Sequence, residues 1–161
     1  MKTLASDIMT TTFHTLSPST PLDKAVKLFR SASQAEGRKI FGMMVVDDSG
    51  ELVGMISMHD ILIFMRPKHV HIWGAMEEID VAGIMDKACR RTRSVLVGDI
   101  MTPEVITITP ETHIMVILDI IIKKHVRRLP VVAEGKIRGI VYISDLFYDL
   151  LDRLIEDGVP V

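Results

Sequence analysis

Asp7-Ile8-Met9-Thr10 recurs as Asp99-Ile100-Met101-Thr102, an offset of 92 residues in a chain of 161. Pro18 and Thr20 return at the same offset as Pro110 and Thr112. Val45-Val46 is matched by Val131-Val132 at an offset of 86, and Gly54 and Asp60 by Gly139 and Asp145 at 85. Four matching residues alone would be suggestive only. A collinear series with two small gaps is an internal repeat, and it decides the architecture before any single element is assigned. The gaps are expected in loops: six extra residues in the first repeat near 33–38, and one in the Asp47-Asp48-Ser49-Gly50 turn.

Working outward, both repeats parse as βαββα. A short strand (13–16; 105–108) precedes a helix (22–33; 112–124). Ser19-Thr20-Pro21 and Pro110-Glu111-Thr112 mark the helix starts, with cap residues and proline near the first turn. A β-branched strand (43–46; 129–132), a short Gly-containing turn and a second strand (52–57; 137–143) read as a hairpin. A last helix closes each repeat (58–65; 144–155). The expected organisation is a first repeat over 1–65, a connector over 66–94, a second repeat over 95–155 and a tail over 156–161. Spacing of Ile79, Ala82, Gly83, Met85 and Ala88 predicts a connector helix over 77–90, followed by Arg91-Thr92-Arg93 as charge suited to a helix C-terminus. The fold class is α/β of the α+β type. Each repeat is marginal in size alone, and Ile114-Met115-Val116-Ile117-Leu118 is too apolar for a solvated helix. The repeats are therefore expected to pack on each other, with leftover apolar surface given to a second copy of the chain.

Composition excludes several classes. Apolar residues make up 48% and charged residues 25%, with a formal net charge of −2, which argues against a basic nucleic-acid binder. Aromatic residues are few, so no stacking platform is evident. The single cysteine, Cys89, forms no intrachain disulfide and fits a reducing, cytoplasmic setting. An acid at position 7 precedes any apolar run, so the N-terminus reads as no secretory signal. Asp119 interrupts the most apolar stretch, 114–122, which is far short of a bilayer span; no membrane insertion is expected. Phosphate-loop, dinucleotide-fold and serine-elbow patterns are absent, and no catalytic residues are assigned.

The repeated Asp-Ile-Met-Thr, the prolines before each first helix, Arg127-Arg128-Leu129-Pro130-Val131-Val132 and the Gly139-to-Asp145 spacing resemble a pair of CBS domains. The first repeat departs at its strand entry, where Phe41-Gly42-Met43-Met44 replaces an Arg-Leu-Pro type sequence. The resemblance implies two repeats related by a pseudo-twofold axis, with clefts between them for adenosine-containing ligands. It also implies dimerisation, control of an attached or partner protein, and no catalysis. AMP, ADP, ATP or S-adenosylmethionine is the ligand class; no cofactor is required.

A nucleoside site needs an apolar slot, an acceptor for the ribose diol and donors for phosphate. Asp60 can accept from ribose hydroxyls, while Ser57 and the helix N-terminus donate toward phosphate. This pair matches the family's Ser/Thr-x-x-Asp motif, yet Ser57-x-x-Asp60 is equally a capping box, and the two roles are compatible. In the second repeat Asp145 can still reach a ribose, but Tyr142 stands where Ser or Thr is usual, either stacking on the base or blocking it. Ser144 serves there as an N-cap. Thr15 and Thr107 lie at strand ends where the family touches its ligand, although β-propensity alone accounts for them. Arg127 or Arg128, in the cluster with Lys123, Lys124 and His125, can neutralise a phosphate or simply solvate a helix end. His69-x-His71 is thin as a metal pair and reads as polar connector. Cys89 has cations nearby but no base, and reads as structural.

Three functions compete: a ligand-sensing regulatory module, a ligand-free dimerisation or docking module, and a divalent-cation site built on Asp47, Asp48 and Glu51. The third reads better as a solvated turn.

Overall fold

The computed structural model describes residues 2–66 and 81–156. In chain order they form α1 (Ala5–Ile8), β1 (Thr15–Leu16), α2 (Leu22–Glu36), β2 (Gly42–Val46), β3 (Leu52–Ser57), α3 (Met58–Met65), α4 (Val81–Arg93), α5 (Val97–Ile100), α6 (Ile114–Lys124), β4 (Arg128–Ala133), β5 (Lys136–Tyr142) and α7 (Ile143–Glu156). The architecture is α+β, with one sheet ordered β1-β2-β3 and another β4-β5. β1 runs parallel to β2, with Thr15 opposite Met44 and Leu16 opposite Val45. β4 and β5 are antiparallel, and Glu134 and Gly135 turn between them with φ of 54° and 75°. Two consecutive left-handed residues are what a twisted two-residue hairpin needs.

Among the described residues the chain divides into two compact units, and neither is one sequence repeat. One gathers the chain up to Phe13, Gly50–Leu52 and everything from Val105; we call it the Asp145 unit. The other, the Asp60 unit, gathers His14–Ser49 and Val53 to Glu104. Each Asp-Ile-Met-Thr segment thus folds with the other repeat's helices and hairpin.

The repeated letters acquire separate roles in that exchange. Asp7 Oδ2 accepts from the backbone N–H of Thr3 (2.9 Å) and Leu4 (3.0 Å), which starts α1 and holds its carboxyl below the usual aspartate value. Ile8 is buried with Ala5 in the core of Ile108, Ile114, Ile117, Leu129, Val131, Val141 and Leu146. Thr10 and Ile140 exchange backbone bonds, N to O at 2.8 and 3.0 Å; Thr102 and Met55 do the same at 2.8 and 2.9 Å. Gly139 and Gly54 lie directly under these bridges. A Cβ at 139 would stand 2.8 Å from the Thr10 carbonyl oxygen, and one at 54 would stand 3.0 Å from that of Thr102. Pro18 and Thr20 lend carbonyls to the amides of Gly98 and Val97, as Pro110 and Thr112 do to Ser6 and Ala5. The Asp60 unit has its own core of Leu16, Leu22, Ala25, Met43, Val45, Ile56 and Val97.

Several boundaries differ from expectation. The extra residues near 33–38 are not a loop: α2 continues through them to Glu36 and stops where Gly37 takes a left-handed φ of 68°. Neither Ser19 nor Thr20 caps α2, whose N-cap is Pro21. At α6 the cap is His113, whose Nδ1 accepts from Met115 N at 3.1 Å, while Thr112 Oγ1 accepts from Thr109 N. The first strands shrink to Thr15–Leu16 and to a single bridge of Ile108 with Val131. Ile143 opens α7 and does not extend β5. The connector helix runs over Val81–Arg93, and residues 77–80 lie outside the described residues. It packs within the Asp60 unit against α2 and α3. Arg91 fastens it, donating to the Phe64 carbonyl at 2.8 Å and lying 5.2 Å from the centre of that ring.

Candidate functional site

In both units a strand passes into a helix without a loop, and the acid singled out from the sequence sits in the first turn. In the Asp60 unit, Ser57 ends β3 and caps α3 in extended conformation, φ −118° and ψ 162°. Its hydroxyl donates to Asp60 Oδ2 (2.9 Å) and accepts from Asp60 N (3.2 Å), and its own N–H donates to the same Oδ2 (2.8 Å). The capping box is therefore formed. The serine's one proton is committed to the carboxylate, so donation to a phosphate requires it to turn away. All bonds to the acid fall on Oδ2, which leaves Oδ1 as the acceptor available for a ligand hydroxyl. Both residues are half-buried.

The Asp145 unit builds the same junction from different parts. Ile143 N donates to the Arg127 carbonyl at 2.8 Å, as Met58 N does to that of Phe41, so Phe41 occupies the place of Arg127 at the strand entry. Arg128 and Tyr142 are register partners across β4 and β5, and both are half-buried. Asp145, also half-buried, accepts from Thr10 Oγ1 at 3.2 Å. Thr10 was not among the expected site residues, although its place in the repeated motif marks it. Arg127 is exposed and Lys123 is paired with Asp119 at 2.9 Å, so Arg127 is the more accessible cation at this strand entry.

The structure thus brings Ser57 to Asp60, and sets Arg128, Tyr142 and Asp145 around one strand end. Thr15, half-buried in β1, and Thr107, exposed one residue before the Ile108 bridge, bond to neither acid. Asp47 Oδ1 accepts from Ser49 N at 2.9 Å, which closes the hairpin turn. Among the described residues no three His, Cys, Asp or Glu side chains gather as a metal site. His69 and His71 lie outside the described residues, and Cys89 is half-buried on α4. No described helix is long and apolar enough to cross a membrane.

The sequence pattern of the CBS domain matches residues 5–67 and 97–152, and the chain belongs to that family. It is similar to two proteins of Arabidopsis thaliana, the chloroplastic CBS domain-containing proteins CBSX1 and CBSX2. They are 30% and 29% identical to it over 141 residues, 80% of this chain. The chain spans 55% and 54% of their respective lengths, about half of each. Among solved structures, CBSX2 from the same plant superposes with a TM-score of 0.71 at 27% identity, covering 94% of this chain and 96% of that one. CBSX2 in complex with AMP superposes at 0.67 and 27% identity, covering 94% and 98%.

Proposed function

We propose that this chain is a regulatory module that binds an adenosine-containing ligand at the junctions carrying Asp60 and Asp145. The module passes the resulting conformational change to a partner protein and is not itself a catalyst. The observation carrying this reading is the likeness, at 27% identity over 94% of the chain, to a protein crystallised with AMP. Local chemistry supports it. Asp60 is held through one carboxylate oxygen and offers the other to a ribose hydroxyl. Exposed Arg127 can supply the charge for a phosphate, and the Tyr142 ring lies close by in sequence and strand as an aromatic face for the base. The lone Cys89 is in keeping with a reducing, cytoplasmic setting.

A thermal-shift panel of AMP, ADP, ATP and S-adenosylmethionine tests the reading. A ligand at one hundred times its Kd stabilises by about 2.7 kcal/mol, which raises Tm by about 5–11 °C for a chain of this size. Asp60→Ala and Asp145→Ala should each diminish the shift. No shift with any of the four ligands refutes the proposal.

An apolar face favours homodimerisation as a companion role. Ile143, Phe147 and Leu154 recur along the exposed side of α7, with Tyr148 set edge-on to Phe147 at 5.4 Å. Sedimentation of the wild type against Phe147→Glu checks this: the wild type should run as a dimer and the variant as a monomer. A wild-type monomer at tens of micromolar, or a dimer undisturbed by the glutamate, refutes it.

A further inference from the structure

The strand entry beside Asp60 lacks the positive charge that its counterpart carries. Phe41-Gly42 stands where the other repeat has Arg127-Arg128. The bond from Met58 N to the Phe41 carbonyl, like that from Ile143 N to the Arg127 carbonyl, fixes the equivalence. Gly42 brings no side chain, and Phe41 brings an exposed ring that neither donates nor neutralises. The donors at the start of α3 are largely committed as well. Ser57 N and Oγ both donate to Asp60 Oδ2, Asp60 N donates to Ser57 Oγ, and Met58 N donates to Phe41. What the junction still offers is an acceptor, Asp60 Oδ1, together with two exposed apolar side chains, Phe41 and Met58.

We propose that the Asp60 junction takes an adenosine derivative without a phosphate, and that Phe41 is the residue that sets this preference. The inference deepens the reading above and rests on Asp60 being a ligand contact. A ribose diol needs an acceptor, and Asp60 Oδ1 is one. A phosphate would bring roughly −1.5 to −2 of charge toward a half-buried carboxylate. There like charges repel, and an anion short of donors loses hydration without replacement. An arginine in the place of Phe41 offsets both costs with charge-assisted hydrogen bonds. Phenylalanine instead presents apolar surface to an uncharged 5′ group. Lys39, two residues before Phe41, and His59, one before Asp60, are exposed basic side chains close by along the chain, so the test has to include both.

Calorimetry on the full chain in an Asp145→Ala background isolates the Asp60 junction, with adenosine, S-adenosylmethionine and AMP as probes. A phosphate-free probe should bind at least as tightly as AMP, and adding Asp60→Ala should weaken it. Phe41→Arg should raise the affinity for AMP about 10-fold or more, the worth of one hydrogen bond to a charged group, and leave adenosine within about threefold. That gain should shrink as salt rises, and Phe41→Leu should keep the parent order of affinities. AMP binding more tightly than both phosphate-free probes before Phe41 is changed upholds the ligand reading and overturns this inference. So does a Lys39→Ala or His59→Ala variant that loses AMP but not adenosine, or a Phe41→Arg variant with the parent order unchanged. A chain that takes none of the three probes, with Phe41 or with arginine in its place, overturns the ligand reading at this junction and the inference with it.

Discussion

Replacing Gly139 with alanine tests the exchange of segments directly. A Cβ there would meet the Thr10 carbonyl oxygen at 2.8 Å, Met9 Sδ at 3.0 Å and Met9 Cγ at 3.1 Å. The methionine can swing aside, but the carbonyl cannot, because Ile140 N is bonded to it at 3.0 Å and Thr10 N is bonded to Ile140 O at 2.8 Å. Gly139 is not among the glycines with positive φ, so alanine meets no backbone strain. Alanine even gains about 0.5–1 kcal/mol over glycine in a strand through the unfolded state. Against this stand overpacking, about 1–3 kcal/mol, and the loosening of two hydrogen bonds worth roughly 0.5–1.5 kcal/mol each. The steric loss wins, and the net destabilisation is about 2 kcal/mol. Calorimetry should then show Tm lower by about 4–8 °C, and hydrogen exchange should show faster opening at the Thr10 and Ile140 amides. Gly37→Ala is the control: its φ of 68° costs about 1–2 kcal/mol, but nothing lies within 4 Å. It should lower Tm without touching Thr10. A Gly139→Ala chain melting with the wild type, with both amides still protected, would show that the N-terminal segment does not sit on β5.

Three further outcomes follow from local chemistry. Ser57→Ala removes the cap of α3 and should cost about 1 kcal/mol, or about 2–4 °C in Tm; a variant melting with the wild type contradicts the capping box. His14 Nδ1 lies 3.0 Å from Glu36 Oε2, and that carboxylate is only 4% exposed. His14→Ala strands it, and a loss of about 1–3 kcal/mol is expected in urea unfolding, with Glu36→Gln recovering part; an unmoved midpoint refutes this. Asp7 is held below its ordinary value of 3.8 in the folded chain, so its support is complete above that pH and lost as the pH falls through the lowered folded value. Amide shifts of Thr3 and Leu4 should titrate with a midpoint below 3.8, and one at or above it contradicts the two backbone bonds.

The repeat, the hairpins and both closing helices were legible because period and turn residues report local geometry. α3 began at Met58 and ended at Met65 as expected, and α7 began one residue early. The failures have physical causes. The short helices α1 and α5 hold four residues each, too few to display a helical period. The surplus near 33–38 passed for a loop because Ser33, Gln34 and Gly37 are loop-like in composition. Ser31, Ser33 and Ala35 nevertheless lie in a helix that only Gly37 terminates, and Ser33 Oγ bonds back to the Phe29 carbonyl at 2.7 Å. Ser57 with Asp60 was readable since their spacing is three. Thr10 with Asp145 was not, because periodicity names the face of an element and never the distant segment that covers it.

Internal repetition therefore does not guarantee repeated chemistry. Thr10 and Thr102 stand at equivalent places and make the same pair of backbone bonds, and Gly139 and Gly54 make room for them alike. The hydroxyl is left over from that duty, and its use depends on the acid facing it. Thr102 Oγ1 makes no bond to Asp60, whose carboxylate Ser57 holds, whereas Thr10 Oγ1 donates to Asp145. The two copies of the motif are thus alike in backbone pairing and differ in what the threonine hydroxyl meets.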